Sequence, residues 1–94
     1  MSVVLLITVE ATEGQRDALR SALEGILPDT LAFEGNESVE LLLPREQTNT
    51  LILVEHWASM DAYDAYKAWR AESGTSVLGS DLVAGPPVTV VCDQ

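Results

Sequence analysis

Four short apolar segments share this chain with only two stretches of helical periodicity, and that shortage of helices constrains the fold most. The segments are VVLLITV (residues 3–9), VELLL (39–43), LILVEHW (51–57) and VTVVC (88–92). Each is aliphatic, short and bounded by turn-forming residues, which reads as a strand. Helical spacing joins Leu19, Ala22, Leu23, Ile26 and Leu27, and returns after Ser59 as far as about Glu72. The order is βαββαβ, the ferredoxin-like α+β pattern with a four-stranded antiparallel sheet. Two helices cover one face of such a sheet. A sheet with one wet face alternates apolar and polar residues, and these segments do not alternate cleanly. The second face needs a cover that one chain does not supply. This predicts a homodimer, most simply two-fold symmetric, packed through the open sheet face.

The boundaries carry readable chemistry. Thr12 and Gln15 in TEGQ have capping-box spacing at the start of the first helix. Pro28 marks a break or a new start near its end. Gly35 and Asn36 punctuate a turn, and PREQTNT is a polar hairpin loop. Ser59 caps the second helix, Asp61 and Asp64 sit near its positive end, and Gly74 stops it. Gly85, Pro86 and Pro87 imply a bend before the last strand, because proline cannot donate into a sheet ladder. No linker or low-complexity tract interrupts residues 1–94, which read as one domain.

Composition narrows the function. A 94-residue chain buries a small core and often gains stability from disulfides, metal or a second subunit. Cys92 is the only cysteine, so no internal disulfide forms; a lone thiol suits a reducing cytoplasm. The apolar start lacks a charged n-region and a cleavage site, and is too short to span a bilayer. Fifteen acids against five bases give a formal charge of −10. That argues against nucleic acid and anionic membranes as partners, and repels strongly anionic substrates at long range. A neutral or apolar small molecule, or another protein, is what remains. The chain has no Cys/His set for zinc, no Gly-rich phosphate loop and no nucleophile elbow. No structural zinc and no phosphate-loop nucleotide site is therefore expected.

VEHWASMDAYDAYKAWR (residues 54–70) concentrates the only histidine, both tryptophans and both tyrosines. On the strand, His56 points to the face opposite Glu55 and Trp57. On the helix, Tyr63, Tyr66 and Arg70 form one stripe, overlapped by Ala62, Tyr66 and Trp69. Buried tyrosine hydroxyls and indole N–H groups need partners, so this is a demanding way to fill a core. Polar tips converging on apolar walls describe a small-molecule pocket. Ordinary packing explains an aromatic stripe equally well, and Arg70 also complements the helix dipole.

Three stretches carry a family resemblance: LLITVEATEGQRDALRSAL, LPDTLAFEGNESVEL and LILVEHWASMDAYDAY, the last similar to a strand–Glu–x–Trp–x–Ser–helix segment. Together they make the chain resemble an antibiotic biosynthesis monooxygenase domain. The resemblance implies a dimeric α+β barrel with a cleft between sheet and helices. For catalytic members it implies oxidation of aromatic, anthrone or quinol-like substrates by O₂, with no flavin, haem or metal. Within that frame side-chain chemistry casts His56 as the base. Tyr63, Tyr66 and Arg70 then contact substrate and Trp69 forms an apolar wall. A haem-degrading branch uses a histidine near the end of the second helix and an asparagine on the first strand. AESGTSVLG has no histidine and VVLLITV no asparagine, which argues against haem degradation. The alternative is a non-catalytic homodimer that binds a small aromatic ligand or serves a structural role.

Overall fold

The first apolar run forms β1 (Val3–Glu10) inside the sheet, between β3 (Thr50–Trp57) and β4 (Val88–Asp93), with β2 (Asn36–Leu42) outside β3. The computed structural model describes residues 2–94. Every strand pair is antiparallel. Helices α1 (Arg16–Ala32) and α2 (Met60–Ser73) complete the βαββαβ order, and a 3₁₀ turn (Val77–Gly79) leads towards β4. Among the described residues no helix is long and apolar enough to cross a membrane.

The two central strands, β1 and β3, alternate in burial although their sequences do not alternate in polarity. Val3, Leu5, Ile7 and Val9 of β1 are buried, as are Leu51, Leu53, Glu55 and Trp57 of β3. Register places Leu5 opposite Glu55 and Ile7 opposite Leu53, so these side chains share one face. Leu19 and Leu23 of α1 and Tyr63 and Tyr66 of α2 close over it as one core. The other face carries Leu6, Val54, Val88 and Val90, and no described element covers it. Leu6 is 38% exposed and Val90 51% exposed. Full burial of an aliphatic side chain is worth about 1.5–3 kcal/mol, so this face leaves stabilisation unclaimed.

Two boundary expectations need correction. Thr12 does not cap α1: the N-cap position is Gln15, with no side-chain cap. Gly14 has φ 78°, turning the chain, and Thr12 Oγ1 donates to the Asp81 carbonyl at 2.8 Å. Long-range tethering took the hydroxyl that local spacing had assigned to the helix. Pro28 neither breaks nor restarts α1, which runs through it to Ala32. Pro28 and Glu24 both lie on the solvent side, where water can replace the bond that the ring removes.

The second helix follows its sequence signals. Ser59 Oγ accepts from the Ala62 amide at 3.2 Å, and Gly74 closes the helix in the left-handed region at φ 69°. Gly35, at φ 93°, packs so tightly under α2 that a Cβ there would overlap Ala62 Cβ. Its carbonyl accepts from the Ala58 amide at 2.8 Å, pinning the turn before β2 beneath the start of α2. The stretch Gly85–Pro87 lies outside any strand, and Gly85 has φ 148°.

Candidate functional site

Between the sheet and the two helices lies a cavity of about 230 Å³. Its floor is Ile7, Leu53 and Glu55; α1 contributes Leu23 and Thr30, and α2 contributes Tyr63, Tyr66 and Arg70. It shares Ile7, Tyr63, Lys67 and Leu78 with a second cleft of about 300 Å³, which Thr89 and Val91 border on the β4 side. The walls are mostly aliphatic and aromatic, with few polar groups.

Of the two overlapping helix stripes, the structure buries Tyr63, Tyr66 and Arg70. Arg70 is 4% exposed and does more than complement a dipole. Its Nε donates to the Tyr66 hydroxyl at 2.8 Å, and Nη2 donates to the Ile26 carbonyl at 2.9 Å and to Thr30 Oγ1 at 3.1 Å. Nη1 donates to Thr75 Oγ1 at 3.1 Å. A guanidinium only donates, so the Tyr66 hydroxyl turns its own proton to Thr30 Oγ1, 2.7 Å away. Thr30 in turn reaches the Ile26 carbonyl at 3.3 Å. The network uses four of the five Arg70 donors and locks α2 to the last turns of α1. Arg70 also lies 5.2 Å from the Tyr66 ring centre and 4.8 Å from that of Trp69.

Glu55 is the polar group that the sequence reading passed over. It is 5% exposed, and Oε1 accepts from Trp57 Nε1 at 2.9 Å. Its other oxygen accepts no hydrogen bond among the described residues. Burial pushes the Glu55 carboxyl above the usual carboxylate range; the Trp57 bond and the charge of Arg70 resist that push without cancelling it. Across the cavity, burial first and then the charge of Glu55 push the Tyr63 hydroxyl up to about 12. Tyr63 therefore stays a neutral donor, and its hydroxyl too is uncommitted among the described residues. The signal for Glu55 was present: a strand with buried Trp57 on its core face must carry Glu55 on that face as well.

Two expected site residues lie elsewhere. His56 is half-buried on the open face, with Nδ1 2.9 Å from Ser38 Oγ and with Val4 opposite it across the β1 pairing. Strand alternation, which puts Glu55 in the cavity, excludes its neighbour. Trp69 is 36% exposed and packs against Phe33 at 5.5 Å between ring centres, outside the cavity lining. Its helix position turns it past the edge of the buried stripe. Among the described residues no group of three or more His, Cys, Asp or Glu side chains is gathered as metal ligands.

A family model described as antibiotic biosynthesis monooxygenase matches residues 2–71. No curated protein matches the chain in sequence. Solved structures do match in fold. A Nitrosomonas europaea protein named for the same family superposes with TM-score 0.87 at 15% identity, covering 99% of this chain and 89% of its own. Protein SO0527 of Shewanella oneidensis gives TM-score 0.84 at 24% identity, over 99% and 90% of the two chains. Rv0793 of Mycobacterium tuberculosis gives 0.75 at 24% identity, over 100% and 95%. At these identities the likeness is one of fold.

Proposed function

The chain belongs to the antibiotic biosynthesis monooxygenase family, and we propose that it oxidises a small aromatic or quinol-like substrate with O₂ in the helix-side cavity, without a cofactor. The observation that carries this reading is the cavity itself: apolar walls around a few fixed polar groups, as a small-molecule site requires. A cavity of about 150 Å³ holds benzene, so about 230 Å³ suits one or two rings. A three-ring anthrone would extend past Tyr63 and Lys67 into the adjoining cleft.

The chemistry asks little of the protein. An electron-rich phenolate or carbanion can itself give an electron to oxygen. The protein must hold the ring, favour its deprotonated form and keep water from the reactive intermediates. Ile7, Leu23 and Leu53 supply the dry surface. Tyr63 offers a neutral hydroxyl to a substrate oxygen, and Tyr66 and Arg70 form the rigid wall behind it.

The working unit is a homodimer closed over the open sheet face, in the reducing cytoplasm that the single thiol suits. The exposed row of Leu6, Val88 and Val90 supports that assembly.

Oxygen consumption by metal-stripped protein tests the activity, with hydroquinones, polyphenols and anthrones each run against their uncatalysed autoxidation. Uptake above that background is expected for a one- or two-ring substrate. No uptake with any of them would leave a ligand-binding dimer of the same fold as the better reading.

A further inference from the structure

The cavity separates two buried charges that do not touch. Arg70 makes four hydrogen bonds, all to neutral oxygens. Glu55 spends one oxygen on Trp57 and none on Arg70. Both line the same cavity. Buried charges are costly unless paired, so this arrangement wants a ligand between them. The local charge balance points the same way. The chain has five bases against fifteen acids, yet its only lysine, Lys67, and Arg70 both line this cavity, and among the described residues Glu55 is the only acid that does. Lys67 stands over the Tyr63 ring, 4.8 Å from its centre, and pairs in the open with Asp64 at 3.6 Å.

We propose that Glu55 takes the substrate's proton and that Arg70 is the counter-charge for the anion so formed, so that the cavity selects a phenol or enol of one or two rings. This rests on the oxygenase reading above and assigns its acid–base step. The substrate O–H bond breaks, the proton passes to the free oxygen of Glu55, and the electron pair stays on the ring oxygen. No electron leaves the substrate in this step; transfer to O₂ follows it. The Trp57 bond fixes the carboxylate so that its unbonded oxygen is the one available. A carboxyl held above its usual range is a stronger base than a surface glutamate, which suits a weakly acidic hydroxyl. The titratable and charged groups lining the cavity with Glu55 are Tyr63, Tyr66, Lys67 and Arg70, all on α2; α1, β1 and the 3₁₀ turn contribute aliphatic and hydroxyl side chains only.

Binding of a dinitrophenol, ionised in free solution throughout, is the test, from mildly acid to mildly alkaline pH. An anion that settles beside Glu55 requires Glu55 to hold a proton. Wild-type affinity is therefore expected to fall about tenfold per pH unit above the Glu55 pKa. Glu55→Gln is expected to bind with no such slope, and Lys67→Met to bind more weakly with the slope kept. A flat wild-type profile, or no binding, overturns the proposal even if Glu55→Gln does not fold. So does a slope that survives Glu55→Gln and vanishes in His56→Gln, which would assign it to the imidazole. Oxygen uptake separates the two readings. Uptake unchanged in Glu55→Gln removes Glu55 and keeps the oxygenase; a Glu55-linked slope without uptake removes the oxygenase and keeps the acid site.

Discussion

Trp57 and Glu55, two residues apart on β3, are joined side chain to side chain: the indole N–H donates to the carboxylate across 2.9 Å. The tryptophan is fully buried and packed among Phe33, edge-on, and the tilted rings of Tyr63 and Tyr66, at ring-centre distances of 6.3, 5.8 and 5.0 Å. It is thus both the anchor of the aromatic core and the clamp on the one acid that faces the cavity.

Burial of that carboxyl, which the Trp57 bond opposes without cancelling, makes the protein's stability depend on pH in a definite direction. The folded Glu55 carboxyl lies above its ordinary value, so the folded state binds the proton more tightly than the unfolded chain does. The stabilisation is complete below the ordinary carboxylate pKa and is lost as pH rises through the folded value. Glu55→Gln keeps an acceptor for Trp57 and removes the charge. Its melting temperature should exceed wild type at neutral pH, with the gap closing on acidification, measured by calorimetry across that range.

Arg70 is the tie between the helices, and replacing it should cost stability more than a surface arginine would. Arg70→Met leaves the Ile26 carbonyl and the Tyr66–Thr30 hydroxyls short of a donor. The expected loss is about 2–4 kcal/mol in urea unfolding. Arg70→Lys should recover little of it, because an ammonium cannot span the four acceptors that the planar fork reaches.

Gly35 fails two tests for any larger residue: its φ of 93° and its contact with Ala62. Gly35→Ala should destabilise by about 1–3 kcal/mol. Adding Ala62→Gly removes the overlap but not the strain. The double variant should therefore lose less than the two single losses summed, read as a double-mutant cycle.

Assembly is tested on the open face. Leu6→Lys with Val90→Lys puts charges on neighbouring strands there, where Leu6 pairs with Val90. The wild type should sediment as a dimer and the variant as a folded monomer with unchanged circular dichroism. A wild type that sediments as a monomer would remove the dimer.

Much of this arrangement was legible in the residues themselves. Ser59 and Gly74 mark the ends of α2 because those signals are satisfied locally, within one helical turn. Thr12 and Pro28 misled for the opposite reason: a distant carbonyl claimed the threonine, and solvent excused the proline. Parity along LILVEHW separated His56 from Glu55 and Trp57, but only packing shows which set meets the helices. Trp69 and Arg70 are adjacent on α2, and the spacing alone allowed either stripe to be the buried one. The acceptors on α1, Thr30 and Ile26, decide it for Arg70, and no pattern inside α2 points to them.

The pairing of β3 with β1 sets Val4 against His56 and Leu5 against Glu55. A slip of one residue exchanges every side chain between the faces. The same letters, VEHW, would then hand the cavity an imidazole and strand a carboxylate on the apolar side. Two chemistries are written into one strand, and the burial of Leu51, Leu53 and Trp57 on a single face selects between them.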